Sequence, residues 1–267
     1  MEYNELKISD TKEKAKKKII IAVIVFALII TAGAAASILA VTKKEKNENE
    51  SAVLSAQIPG LTGDCSFFVS AVDDDKTTVD FALIIRAQLY NKTFVITPLD
   101  INKKYDSNNS LSLLDSYKNG GIKEMSAAAE KISGTNVDKY IRVTRSGLAM
   151  IFGELGHVEF DIDSPITLTV SEGTVNIQAG RQELDYEEIT DYLIKGAKGT
   201  DSMNFLAKNT AVIMEQYLTN VDYANTDKLF NSIINNVDTD ISASDYFDAK
   251  DCIKAFESTS FVFKTEY

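Results

Sequence analysis

The chain has 267 residues, of which 39 are acidic and 28 are basic, and its formal net charge is −11 at neutral pH. This negative field disfavours nucleic acid as a partner, and we expect none. Two cysteines and one histidine are too few for a disulfide framework or a zinc site. Any Ser-His-Asp or Cys-His site would need His157, which lies in a Gly-His-Val turn and is expected to be structural.

Residues 19–41 form one uncharged apolar run. As a helix the run reaches roughly 34 Å, enough to cross a hydrocarbon core of about 30 Å. Five lysines within residues 12–18 flank it on one side, whereas residues 43–50 mix lysine with glutamate. The lysine excess predicts a single-pass protein of the cell membrane whose N-terminus is cytoplasmic and whose body is extracytoplasmic.

The alternative is a cleaved signal peptide, because the small residues at 34–37 would suit a peptidase. Against it, the apolar character resumes at 38–41, as a membrane anchor requires. The predicted organisation is a cytoplasmic head (1–18), a transmembrane helix (19–41), a polar tether (42–60) and one extracytoplasmic domain (61–267).

The domain begins with sequence typical of β-strands. Three near-continuous apolar runs, divided by turns at 73–75 and 91–92, predict strands that are covered on both faces. An exported location would permit a bridge between Cys65 and Cys252, and the alternative is that both are buried as small apolar residues.

Helices and strands then alternate. Helical spacing predicts helices at 111–118 and 122–133, with Gly134 as the stop. Ser242 and Asp245 are spaced as a capping box. Further helices are predicted near 145–155, 186–195, 202–219, 226–236 and 243–256, and strands near 140–143, 158–162, 166–184 and 260–266. This alternation predicts a layered α/β domain.

Seven short motifs follow one another along the domain. They are Val79-Asp80-Phe81, Ile96-Thr97-Pro98-Leu99-Asp100, Ser116-Tyr117-Lys118-Asn119-Gly120-Gly121, Gly134-Thr135 with Asp138-Lys139-Tyr140-Ile141, Gly156-His157-Val158-Glu159-Phe160-Asp161-Ile162, Gly180-Arg181-Gln182-Glu183-Leu184 and Asn236-Val237-Asp238-Thr239-Asp240-Ile241-Ser242. In this order they make the chain from about Gly63 to Tyr267 similar to the LytR-CpsA-Psr family of Gram-positive cell-envelope proteins, also known as the cell envelope-related transcriptional attenuator domain.

The resemblance implies a three-layer α/β/α fold around a central mixed sheet. It also implies a cavity for a polyprenyl chain and a polar mouth for its pyrophosphate. Active relatives transfer a glycopolymer from this lipid carrier to peptidoglycan, using magnesium, arginines and aspartates. Mg²⁺ and planar guanidinium groups suit that chemistry because a pyrophosphate leaving group develops negative charge.

The sequence departs from its family at the arginines. The positions that correspond to the family's arginines hold Leu99, Ile194, Gly196, Asn204 and Ala207. Loss of one preorganised donor typically costs about 3 to 4 kcal/mol of transition-state stabilisation. Several such losses predict impaired catalysis, even though their effects are not additive.

The acidic positions are retained. By resemblance, Asp80 and Asp100 are the candidate magnesium ligands, with Asp201 a weaker third, and the alternative is that they only terminate strands and turns. Lys195 and Arg86 are the candidate phosphate ligands, and for Arg86 an ion pair at the sheet edge is the favoured alternative.

Two functions follow from these observations. The favoured one is an anchored, catalytically impaired member that binds polyprenyl-(pyro)phosphate-linked glycan, peptidoglycan or an assembly partner. The alternative is an active magnesium-dependent phosphotransferase that attaches glycopolymers of the teichoic acid or capsule type to peptidoglycan. A role in transcription is not supported, because an 18-residue head is too short for a DNA-binding domain.

Overall fold

A six-stranded mixed sheet forms the centre of the fold. The computed structural model describes residues 64–105, 111–219, 226–247, 249 and 260–266. Ten strands are assigned within them: β1 (Asp64–Val72), β2 (Val79–Gln88), β3 (Thr93–Leu99), β4 (Lys139–Thr144), β5 (Val158–Ile162), β6 (Ile166–Val170), β7 (Gly173–Ile177), β8 (Gly180–Leu184), β9 (Val237–Thr239) and β10 (Val262–Thr265). The helices are α1 (Leu113–Ser133), α2 (Arg145–Leu155), α3 (Tyr186–Gly196), α4 (Ser202–Thr219) and α5 (Thr226–Ile234).

The strand order in the sheet is β10-β3-β2-β1-β4-β9. Strand β2 runs antiparallel to its neighbours β1 and β3, whereas β4 runs parallel to β1 and β10 runs parallel to β3. The parallel β1–β4 pair requires a crossover, which α1 supplies. The predicted α/β class with a mixed central sheet is therefore confirmed.

Helices cover both faces of this sheet, as the unbroken apolar runs predict. On one face Phe68 and Ile84 pack in a buried cluster with Met125 of α1. The opposite face contributes Phe67 and Leu83 to a larger cluster shared with helices α2 to α5. Because successive residues of a strand point to opposite faces, each central strand supplies both clusters.

Helix α1 corresponds to both helices predicted between 111 and 133. Ser112 and Asp115 form a capping box at its start. Gly121 has φ +69° and kinks the element at the predicted break, and Gly134 ends it with φ +66°. Both backbone conformations suit glycine, which lacks a Cβ.

The other predicted elements are present with small changes. Helix α2 matches its predicted bounds, and the β-rich stretch at 166–184 forms strands that lie outside the main sheet: β6 pairs with β7, and β8 pairs with β5. The capping box of Ser242 and Asp245 is confirmed, and the helix that it begins is described at 243–247. Asn235 and Asn236, predicted as helical, form the turn between α5 and β9 instead.

The predicted head, membrane span and tether lie outside the described residues. In the part of the chain that the structure describes, no helix is long and apolar enough to cross a membrane. Cys65 is buried, whereas Cys252 lies outside the described residues, so a bridge between them stays a prediction.

Two glycines of α2 give a matched test of packing at the start of this helix. A Cβ on Gly147 would lie 2.6 Å from the backbone oxygen of Asn236, whereas a Cβ on Gly153 would have nothing nearer than 3.7 Å. We expect Gly147→Ala to lower the free energy of unfolding by about 1–3 kcal/mol, because a backbone atom must shift. Gly153→Ala should be neutral or stabilising by up to ~1 kcal/mol. Urea unfolding of both variants measures the difference, and equal midpoints would contradict this packing.

Candidate anion site beside an apolar cavity

An apolar cavity of about 110 Å³ lies between the sheet and the helices of the larger cluster. Its lining comes from the sheet, including Phe81 and Val143, and from the four helices α2 to α5, including Leu148 and Leu193. Among the described lining residues, Thr210 and Tyr217 are the two with a polar side chain. A cavity of ~150 Å³ lined by Leu, Ile and Phe stays dry and binds benzene. This cavity therefore suits a short apolar segment, and a longer chain would require the helices to move apart.

A buried carboxylate lies at the start of β2, one residue before the cavity-lining Phe81. Asp80 immediately precedes the lining residue Phe81, and its side chain is 0% exposed. Arg145, at the first position of α2, donates from Nε to Oδ2 at 2.6 Å and from Nη2 to Oδ1 at 2.5 Å. Lys198, just after α3, places Nζ 3.0 Å from Oδ1 of the same carboxylate. One carboxylate thus joins β2, α2 and the end of α3.

The turn after β1 holds the start of α2 in place. Asp74 accepts a hydrogen bond from the backbone N–H of Ser146 at 2.8 Å, which fixes the first turn of α2. Its neighbour Asp73 accepts from the backbone N–H groups of Thr77 and Thr78, and these hydrogen bonds lower the pKa of Asp73 to about 2. The hydrogen bonds to Asp80 are the main cause that raises the pKa of Arg145, and the charges of Asp73 and Asp74 raise it further.

A second arginine, Arg142, lies on β4, the strand that directly precedes α2. Arg142 pairs with Asp238 of β9, and its Nη1 donates to the hydroxyl oxygen of Tyr117 at 3.3 Å. A polar groove of about 350 Å³ passes Arg142, Asp238 and Asp74. A larger groove of about 570 Å³ lies between α2 and α3 and is lined by Arg145 and Asp191, among others. Arg145 therefore lines the larger groove and Arg142 the smaller one, and the two grooves share the lining residues Asp74, Ser146 and Met150.

The predicted phosphate ligands are engaged away from Asp80. Lys195 donates to the backbone oxygen of Thr167 at 2.7 Å and pairs with Asp191 at 2.8 Å. Arg86 pairs with Glu266 at 3.3 Å. Six residues separate Arg86 from Asp80 along β2, which corresponds to about 20 Å. The structure therefore brings neither Lys195 nor Arg86 into contact with Asp80, and their roles as phosphate ligands stay predictions.

The second predicted magnesium ligand lies at the same end of the sheet. Asp100 follows β3, whose antiparallel neighbour β2 begins beside Asp80. Asp100 is exposed and accepts a hydrogen bond from the backbone N–H of Asn102 at 2.9 Å, as a strand-ending turn residue would. Asp201, the weaker candidate, accepts from the side chain of Asn204 at 2.8 Å.

The surroundings of Asp80 fit a magnesium ion poorly. Both of its oxygens already bind cationic groups, so the metal would have to displace Arg145 or Lys198. Among the described residues, no group of three or more His, Cys, Asp and Glu is placed to hold a metal ion. Magnesium at Asp80 and Asp100 remains a prediction that requires these cations to withdraw.

The positions of the missing arginines are mostly part of the core. Leu99 and Ile194 are each 6% exposed and Ala207 is fully buried. Gly196 packs against the ring of Phe205, where a Cβ would lie 1.9 Å from a ring carbon. Longer side chains would not fit at these positions without rearrangement.

His157, the only histidine, is exposed at the turn before β5.

Sequence reasoning missed the cations that do reach Asp80. The motifs point only to the positions where the family places arginine, and neither Arg145 nor Lys198 is one of them. A signal was available for Arg145, because this residue follows β4 immediately. Strand β4 runs parallel to β1, so it ends at the edge of the sheet where β1 ends and where β2 begins with Asp80. Lys198 carries no comparable signal, because its approach depends on how α3 packs.

A sequence model of the LytR_cpsA_psr family matches residues 97–265. Among solved structures, a protein of Eubacterium siraeum described as a transcription regulator is 23% identical with a TM-score of 0.69, covering 82% of this chain and 89% of that one. TagV of B. subtilis is 15% identical with a TM-score of 0.62, covering 76% and 84%. TagT bound to LI-WTA is 12% identical with a TM-score of 0.58, covering 80% and 81%. At these identities the likeness shows a shared fold. A comparison with curated proteins gives no significant match.

The ion pairs at Asp80 give a direct stability test. Asp80→Asn leaves Arg145 and Lys198 without their carboxylate. We expect a loss of about 2–3 kcal/mol in the free energy of unfolding, less than the usual ~3–5 for breaking a buried pair, because water can re-solvate two partly exposed cations.

The matched control is Asp163→Asn. Its carboxylate pairs with Lys208 at 3.3 Å and is 85% exposed, so removing its charge should cost less than about 0.5 kcal/mol. Urea unfolding measures both variants. A loss for Asp80→Asn no larger than that of the control would contradict the importance of this contact.

Proposed function

Because the chain belongs to the LytR_cpsA_psr family, we propose that it is a cell-envelope protein that binds a polyprenyl-phosphate-linked glycan and has impaired catalysis. The observation that carries the proposal is an apolar cavity lined by β2, α2 and α3, the same elements that the contact of Asp80 with Arg145 and Lys198 joins. A polyprenyl phosphate combines an apolar chain, which would suit the cavity, with an anionic head group, which would suit the cations.

The cavity and the cations are carried by the same elements of the fold. Each element that carries a charged residue also lines the cavity: Asp80 precedes Phe81, Arg145 lies three residues before Leu148, and Lys198 lies five residues after Leu193. In the proposed complex an apolar chain in the cavity has its head at Arg145 and Lys198. The groove lined by Arg145 and the groove lined by Arg142 offer room for a glycan, and TagT, which has the same fold, is described with LI-WTA bound.

The proposal of impaired catalysis rests on the residues at the family's arginine positions. The residues at the family's arginine positions include the buried Leu99, Ile194 and Ala207, so these positions supply no donor to a developing phosphate charge. Lys195 is a point charge already shared with Asp191, and it cannot form the bidentate fork of an arginine.

The proposed location follows from the N-terminal sequence. An anchor at 19–41 would hold the domain on the outer side of the cell membrane, where polyprenyl-linked glycan and peptidoglycan are both within reach. The lipid of such a ligand would remain in the same bilayer as the anchor.

A rebuilt transferase is the second candidate. Arg145 presents a guanidinium group beside Asp80, and Asp100 lies at the same end of the sheet, so part of a phosphate site remains. In this alternative a magnesium-dependent reaction would attach the glycopolymer to peptidoglycan.

Filling the cavity tests the binding function. We expect Leu148→Trp to weaken binding of a polyprenyl phosphate by the full-length protein at least about tenfold, because the indole would occupy the space of the apolar chain. Glu154→Trp places the same side chain on an exposed position of α2 and should leave the affinity unchanged. Isothermal titration in detergent measures both variants, and equal affinities would remove the cavity from the proposal.

Turnover separates the two functions. With a polyprenyl-pyrophosphate-linked glycan, a peptidoglycan acceptor and magnesium, we expect the wild-type protein to bind the donor without releasing product. Turnover that is lost in Asp80→Ala, with circular dichroism unchanged, would support the rebuilt transferase and reject the impaired form.

A further inference from the structure

Asp80 is unusual in its burial. Among the residues that the structure describes, it is the only charged residue that is buried as a whole, at 3% exposure. An ionised carboxylate removed from water is stable only when other groups compensate its charge. The two groups that do so, Arg145 and Lys198, belong to the protein itself.

These two cations keep donors for another ligand. Arg145 uses two of its five N–H groups on Asp80, and Lys198 uses one of its three. The side chain of Arg145 is 40% exposed and that of Lys198 is 55% exposed, so the remaining donors can be reached from solvent. Asp80 therefore fixes one end of each cation while the other end can meet an anion.

A divalent cation would meet opposition at this site. It would approach a carboxylate whose two oxygens already bind a guanidinium and an ammonium group, and like charges at these distances repel. Asp73 and Asp74 act on Arg145 and offset part of the positive charge. The attraction for an anion would therefore depend on directed N–H groups more than on a general field.

We propose that Arg145 and Lys198 take the place of a divalent cation beside Asp80, so that this site binds a phosphate headgroup without metal. The lipid identity of that headgroup rests on the proposed function. The positive groups that a metal would contribute are supplied here by two side chains held on one buried carboxylate.

The first test titrates the full-length protein in detergent with Mn²⁺ and follows free Mn²⁺ by electron paramagnetic resonance. We expect wild type and Asp80→Asn to bind equally little. Stoichiometric binding by wild type that is lost in Asp80→Asn would overturn the proposal, because the carboxylate would then hold a metal in spite of its two cations.

The second test measures binding of geranylgeranyl phosphate by isothermal titration, with EDTA or with excess magnesium. We expect the same dissociation constant within about twofold in both buffers. Lys198→Met should weaken binding about 10- to 100-fold, as for the loss of a hydrogen bond to a charged group. Lys131→Met, at an exposed position of α1 on the other side of the sheet, should have no effect.

The outcomes separate this inference from the proposed function. Binding that requires magnesium, or a Lys198→Met variant that binds like wild type, overturns the inference and leaves the lipid-binding function supported. Absence of binding in both buffers overturns the lipid-binding function together with the inference. Circular dichroism of the Lys198→Met protein confirms that the exposed substitution leaves the fold intact.

Discussion

The buried carboxylate of Asp80 is the constraint on which this end of the molecule depends. It lies at the start of a central strand and is bound by Arg145 from one helix and Lys198 from the end of another. A charge in this position cannot be left uncompensated, so the carboxylate holds α2 and α3 in fixed positions relative to the sheet.

This arrangement shows how the chain can lack arginines at its family's positions and still carry guanidinium groups at the site. Leu99 and Ala207 now contribute to packing, and Gly196 accommodates the ring of Phe205. Arg145 reaches the same carboxylate from the start of α2. A guanidinium group can therefore reach Asp80 from a residue outside the family motifs. A count of arginines at motif positions alone underestimates the cations at this site.

The apolar cavity results from the way in which helices cover the two faces of the sheet. Among the described helices, α1 packs against one face in a buried cluster, whereas α2 to α5 and the helix that begins at residue 243 share the other face. A cavity remains between the sheet and helices α2 to α5, and its described lining is almost entirely apolar. A ligand with an apolar chain gains most from such a cavity, since water inside it has few partners.

Local pattern was sufficient for most of the fold. Apolar runs without alternation predict strands covered on both faces, and glycine stops and capping boxes such as Ser242 with Asp245 set helix ends, because these signals depend on residues close in sequence. The motifs in order also identified the family, and by resemblance they selected Asp80 and Asp100 as candidate metal ligands.

Tertiary structure alone decided which charges meet. Lys195 and Lys198 are three residues apart on the same segment, yet the first pairs with Asp191 and the second with Asp80. Arg86 shares a strand with Asp80 but pairs with Glu266. The partner of a long charged side chain depends on how helices pack against the sheet, and that packing is set by contacts between residues far apart in the sequence.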